Sequence, residues 1–101
     1  MGPRRRGPGG SEGVRGVEAY IFLQVQVGAD GRVARAVAGI DGVTSVDIVT
    51  GPHDVVVRAE ADTIHELGKR VLRPIQEIDG VSRTLTCPLM HRWTWLAHPE
   101  A

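Results

Sequence analysis

The chain has 101 residues, twelve basic and twelve acidic side chains, and a formal net charge of zero. That length fits one domain, and the balanced charge leaves no electrostatic footprint for nucleic acid or an anionic membrane. No apolar run is long enough to cross a bilayer, and a single cysteine, Cys87, excludes an internal disulfide and any Cys-x-x-Cys metal or redox motif.

Residues 1–16 are rich in Gly, Pro and Arg without periodicity and are expected to be disordered. The cluster Arg4-Arg5-Arg6 is followed by a hydrophilic stretch and not by the apolar core of an export signal, so a cytoplasmic location is expected. Residues 17–91 carry the ordered domain. Residues 92–101 form a tail with both tryptophans, Trp93 and Trp95, and partial order is expected there.

Glu18 to Val27 reads as a strand, being rich in β-branched and aromatic residues. Ala19, Ile21, Leu23, Val25 and Val27 share an aliphatic face that belongs under helices. Tyr20, Phe22, Gln24 and Gln26 share the other, half aromatic and half amide. After a Gly28–Gly31 turn, with Asp30 as the expected N-cap, Arg32 to Gly39 has helical spacing at Val33, Val37 and Ile40. Val43 to Thr50 is the second strand, Gly51-Pro52-His53-Asp54 a tight corner, and Asp54 to Glu60 the third strand. Thr63 and Glu66 match a capping box, and Ile64, Leu67, Val71, Leu72 and Ile75 continue a helical stripe toward Ile78. Pro74 removes the hydrogen bond to the Arg70 carbonyl, so a kink or a tightened last turn is expected. Val81 to Met90 is the fourth strand, with Pro88 marking an edge or an end.

The motif Asp-Gly occurs twice, at Asp41-Gly42 and Asp79-Gly80, each time between a helix and a strand. The two units give the order βαββαβ. With right-handed crossovers this is a ferredoxin-like α+β fold: a four-stranded antiparallel sheet with both helices on one face. The other face carries Tyr20, Phe22, Gln24 and Gln26, joined by Val56 and Arg58 from the third strand. Apolar surface of that extent meets a partner. A domain this small buries only about 60 % of its unfolded surface, and two copies packed sheet to sheet, a dimeric α/β barrel, would complete it.

From Val17 to about His91 the sequence resembles the effector-binding (RAM) domain of the Lrp/AsnC family, most closely its stand-alone actinobacterial members. The stretches that carry the resemblance are Glu18 to Ile21, Gly42 to Ser45, Val49 to Asp62, Glu66 to Lys69 and Asp79 to Pro88. The resemblance implies a small-molecule sensor for amino acids or related metabolites, paired through its sheets and assembled into rings, commonly octamers. It implies an effector site between dimers at the loop joining the second and third strands, here Gly51, Pro52, His53 and Asp54. His53 stands where the family usually has an aromatic residue. Full-length members carry a helix-turn-helix that has no counterpart in these 101 residues, so no direct DNA binding is expected, and any effect on transcription would pass through partner regulators.

Asp54 and His53 offer a carboxylate and an imidazole to a ligand's ammonium or polar end, and backbone amides near Gly51 offer a nest for its carboxylate. An ordinary hairpin corner explains the same residues, and the corner is expected to lie away from the uncovered sheet face. Thr84 and Thr86 share a side of the fourth strand, placed to line a site or make cross-strand contacts. Cys87 is expected to be a small buried hydrophobe. His65, His91 and His98 lack metal-ligand spacing, and no cofactor is expected. Three other functions share the architecture. A small barrel monooxygenase or isomerase would use Tyr20, Gln24, Gln26 and Arg58, which form no acid–base pair. An ACT-like amino-acid-binding module and a purely structural assembly partner have the same element order.

Overall fold

The computed structural model describes residues 16–90; the expected N-terminal tail, apart from Gly16, and the tail bearing Trp93 and Trp95 lie outside the described residues. The elements are β1 (Val17–Val25), α1 (Asp30–Ala38), β2 (Val43–Ile48), β3 (Val55–Ala61), a second helical segment and β4 (Val81–Pro88). That segment is continuous but has three parts: α2 (Ile64–Leu67), a π turn (Gly68–Leu72) and α3 (Arg73–Gln76). The sheet order is β2-β3-β1-β4 with every neighbouring pair antiparallel, so the expected ferredoxin-like arrangement is the one observed.

β1 and β3 are the two interior strands of the sheet. Ala19, Ile21 and Leu23 are fully buried with Val55, Val57, Ala59 and Ala61 of β3. Against them pack Val33 and Val37 of α1 and Leu67, Val71 and Ile75 of the second segment. Burying each branched side chain contributes about 1.5–3 kcal/mol, which is what holds these short helices in place. The opposite face presents Tyr20, Phe22 and Gln24 beside Val56 and Arg58 of β3 and Leu85 and Cys87 of β4.

Several boundaries move, each for a local reason. β1 stops at Val25, because its ladder with β4 shifts register between Gln24 and Val25. Gln26 therefore lies past the strand, and Val27 is fully exposed instead of extending the core. The helix cap is Ala29, without a side-chain bond; Asp30 is the first helical residue, and its carboxylate accepts from the Gly31 N–H at 2.8 Å. β2 ends at Ile48 and β3 begins at Val55, which widens the corner between them. Cys87 is exposed on the uncovered face opposite Tyr20, not buried, since Thr84 and Thr86, opposite Leu23 and Ile21, take the helix side of β4.

At the second helical segment Thr63 is the N-cap, its Oγ1 accepting from the Glu66 N–H at 3.0 Å. The capping box is half made, because the Glu66 carboxylate turns to Arg70. That hydrogen bond and the guanidinium charge hold the Glu66 carboxyl below its usual range, though so exposed a pair contributes little to stability. Downstream the turn does not tighten before Pro74; it widens. The Arg73 N–H reaches back five residues to the Gly68 carbonyl, and the extra residue in the turn accommodates a proline that can neither donate to Arg70 nor pack under its carbonyl.

Glycines at three positions make opposite demands. Gly42 and Gly80, in the two Asp-Gly turns, have φ of +103° and +106°. A Cβ at Gly80 would also lie 2.9 Å from Arg32 Nη2 and 3.2 Å from the Ala29 Cβ. Gly80→Ala is therefore expected to destabilise the fold by more than about 1 kcal/mol in urea titrations. Gly68, by contrast, is helical at φ −63° and a Cβ there meets nothing within 4 Å. Gly68→Ala should raise stability by about 0.5–1 kcal/mol in the same assay.

Candidate functional site

The corner between β2 and β3 is built around Asp54. Its N–H donates to the Leu23 carbonyl at 2.8 Å, and its own carbonyl accepts from the Val49 N–H at 2.9 Å. Its Oδ2 accepts from the Val25 N–H at 2.8 Å. The Val25 amide lies on the β3-facing edge of β1, just past the last β1–β3 pair, Leu23 with Val55, so the carboxylate supplies the acceptor that the ended ladder no longer provides. On the other edge, where the β1–β4 ladder slips, the Ser82 hydroxyl donates to the Gln24 carbonyl at 3.0 Å. Asp54 Oδ1 has no hydrogen-bond partner among the described residues, and the side chain is half-buried.

Gly51, with φ of +144°, adopts a conformation that side chains avoid, and a Cβ there would meet nothing within 4 Å. Its backbone is thus open to close approach. Pro52 is exposed, yet its carbonyl accepts from Gln24 Nε2 at 2.9 Å. The His53 ring lies 5.3 Å from the Phe22 ring, tilted by 45°. Phe22 in turn stacks beside Tyr20, with centroids 6.5 Å apart. Arg58 sits 5.3 Å over the Tyr20 ring and reaches Glu18 at 3.5 Å. The expectation that the corner stands apart from the sheet face is therefore overturned. His53 and Gln24 tie it onto that face, because two strands end side by side there and the half-buried Phe22 offers the imidazole an apolar seat.

Of the residues expected at the site, Gly51, Pro52, His53 and Asp54 are contiguous on one side of β1. Thr84 and Thr86 flank the other side of β1, on the helix face. Thr84 borders a separate cleft of about 190 Å³ lined also by Gln76, Val81, Ser82 and Arg83. Gln76 Nε2 lies 3.4 Å from the Thr84 hydroxyl. Sequence reasoning passed over Gln76, because no spacing rule links the end of a helix to the bulge it faces. Tyr20, Phe22, Gln24 and Arg58 do share the uncovered face, whereas Gln26 lies beyond the strand's end. Among the described residues no group of three or more His, Cys, Asp or Glu side chains is placed to hold a metal ion. Nor is any helix among them long and apolar enough to cross a membrane.

A ferredoxin-like domain with one uncovered sheet face is an architecture used by regulatory ligand-binding modules and by small barrel enzymes alike, so the class rests on sequence. The pattern of the Lrp/AsnC ligand binding domain matches residues 18–94, and the chain belongs to that family. An uncharacterised helix-turn-helix-type transcriptional regulator of Pyrococcus furiosus is 41 % identical over 54 residues, covering 54 % of this chain and 36 % of the relative. This chain spans 36–49 % of the length of the curated relatives it matches. A solved protein of Thermus thermophilus aligns with a TM-score of 0.72 at 26 % identity, over 76 % of this chain and 96 % of its own. A transcriptional regulator of Neisseria meningitidis, solved as its complex with L-Met, shares the fold with a TM-score of 0.67 at 20 % identity, over 76 % of this chain and 51 % of its own.

Asp54→Ala leaves the Val25 N–H without its acceptor and is expected to destabilise the domain by about 1–3 kcal/mol in chemical denaturation. Asp54→Asn keeps an oxygen for that amide while losing the charge, and should have the smaller effect on stability.

Proposed function

We propose that this Lrp/AsnC-type regulatory domain senses an amino acid or a close analogue at the Gly51–Asp54 corner, as an oligomer. The observation that carries the reading is Asp54. One carboxylate oxygen is spent on the fold and the other has no hydrogen-bond partner among the described residues, and a Cβ at nearby Gly51 would meet nothing within 4 Å. An α-ammonium group fits the free oxygen and an α-carboxylate fits the exposed amides near Gly51. The Neisseria protein's complex with L-Met supports the ligand class. In the Thermus protein, aligned over 96 % of its own length, the same fold makes up nearly the whole chain, and action on transcription would pass through partner regulators.

The uncovered sheet face supplies the oligomer. Tyr20, Phe22 and Val56 are half-buried there and Leu85 is 51 % exposed, a patch that a second copy would cover sheet to sheet. In the assembled protein two such dimers would meet near the corners, completing a ring. Sedimentation should find a dimer or larger species at micromolar concentration, and Phe22→Asp should shift it toward monomer. A well-folded wild-type monomer would remove this part of the reading. For the 101-residue chain, with zero net charge, anisotropy at physiological salt should find only weak and unselective DNA binding.

The test of the sensor reading is a thermal-shift screen of the proteinogenic amino acids, methionine included. A ligand at a hundredfold excess over its dissociation constant stabilises the folded state by about 2.7 kcal/mol. Asp54→Asn should abolish that response while the domain still melts cooperatively, which separates loss of binding from loss of fold. If no amino acid moves the melt, or if Asp54→Asn responds as the wild type does, the corner is not the site.

A further inference from the structure

A second cavity shares no residue with the corner or with the uncovered face. It is a groove of about 470 Å³ along the second helical segment, lined by Ile64, His65, Gly68, Lys69 and Arg73. We propose that this groove binds a small amphipathic anion, a carboxylate or phosphate carried on a short apolar group.

Three observations converge on it. The first is Gly68 itself. It has an ordinary helical backbone and open space above it, so neither φ nor crowding calls for glycine. Alanine would make the better helix, and the glycine instead leaves the floor of the groove open. The second is charge. His65, Lys69 and Arg73 recur at four-residue intervals, and the π turn from Gly68 to Leu72 widens the helix so that this spacing runs nearly along its axis. Lys69 and Arg73 make no ion pair or hydrogen bond among the described residues, while Glu66 on the same segment is engaged by Arg70. The third is Ile64, which is 55 % exposed on the groove wall in the midst of these cations. The chemistry is therefore mixed: an apolar body resting on Ile64 above Gly68, with its anionic end between Lys69 and Arg73. The volume falls within the range of small-molecule sites, and a free ligand suits it better than a partner chain.

The probe is sodium hexanoate, titrated into the full chain at constant ionic strength and followed by amide resonances of Gly68 and Lys69. Hexanoate should move them saturably, in the millimolar range. Acetate, which lacks the apolar body, and hexylammonium, which reverses the charge, should each move them at least about tenfold less effectively, the scale of one such contact. Gly68→Leu fills the floor with a good helix former and should abolish saturation. The surface double variant Lys69→Gln with Arg73→Gln tests the charge independently of folding at Gly68, and should weaken binding by about tenfold or more. The proposal is overturned if hexanoate gives no saturable shift, if acetate matches it, or if the double variant binds as the wild type does. Tighter capture of an acetylated Leu-Glu dipeptide amide than of hexanoate overturns the assignment to a free small molecule.

Discussion

The hydrogen bond from the Val25 N–H to the Asp54 carboxylate is the constraint on which the β2–β3 corner depends. β1 is an interior strand, and its pairing with β3 ends at Leu23 and Val55, just before the Val25 amide. An interior strand gains little by leaving such a half-buried amide bare, since an unmet donor removed from water costs up to about 1–3 kcal/mol. Asp54 meets it from the neighbouring loop, and with its N–H on the Leu23 carbonyl it fastens the corner at two points to one strand. The proposed recognition would therefore use a carboxylate that already has a structural role.

The same fastening brings the corner down onto the uncovered sheet face. Gln24 extends to the Pro52 carbonyl, and His53 rests on Phe22, the residue at the centre of the aromatic row. Corner and face are consequently one continuous surface, running from Arg58 over Tyr20 and Phe22 to His53. Two of the side chains that an enzymatic reading would recruit from this face are held by neighbours: Gln24 on the corner, and Arg58 between Glu18 and the Tyr20 ring.

Much of this was legible in the residues themselves. Strict alternation in β1 placed Ile21 inward and Phe22 outward, and the paired Asp-Gly turns placed both crossovers; these are local signals with strong physical causes. What the sequence could not reveal depends on register. The slip between Gln24 and Val25 set where β1 ended and which face of β4 Cys87 occupied. No residue of β1 announces it, because the side chain that bonds at the slip, Ser82, lies 58 positions from Gln24. The membership of Gly51, Pro52, His53 and Asp54 in one corner was readable from adjacency alone; their attachment to Phe22 and Gln24 was not.

Pro74 illustrates the same limit from the helical side. Its effect on the Arg70 carbonyl follows from covalent structure, but whether the chain answers by tightening or widening depends on what the flanking residues must bury. Leu67, Val71 and Ile75 are all fully buried against the sheet. A tightened turn would advance Ile75 around the axis and pull it from that core, at a loss of about 1.5–3 kcal/mol for so large a side chain. A widened turn from Gly68 to Leu72 keeps Val71 and Ile75 inward. The π turn is thus the core's answer to the proline, and the groove outside Gly68 is its consequence on the surface.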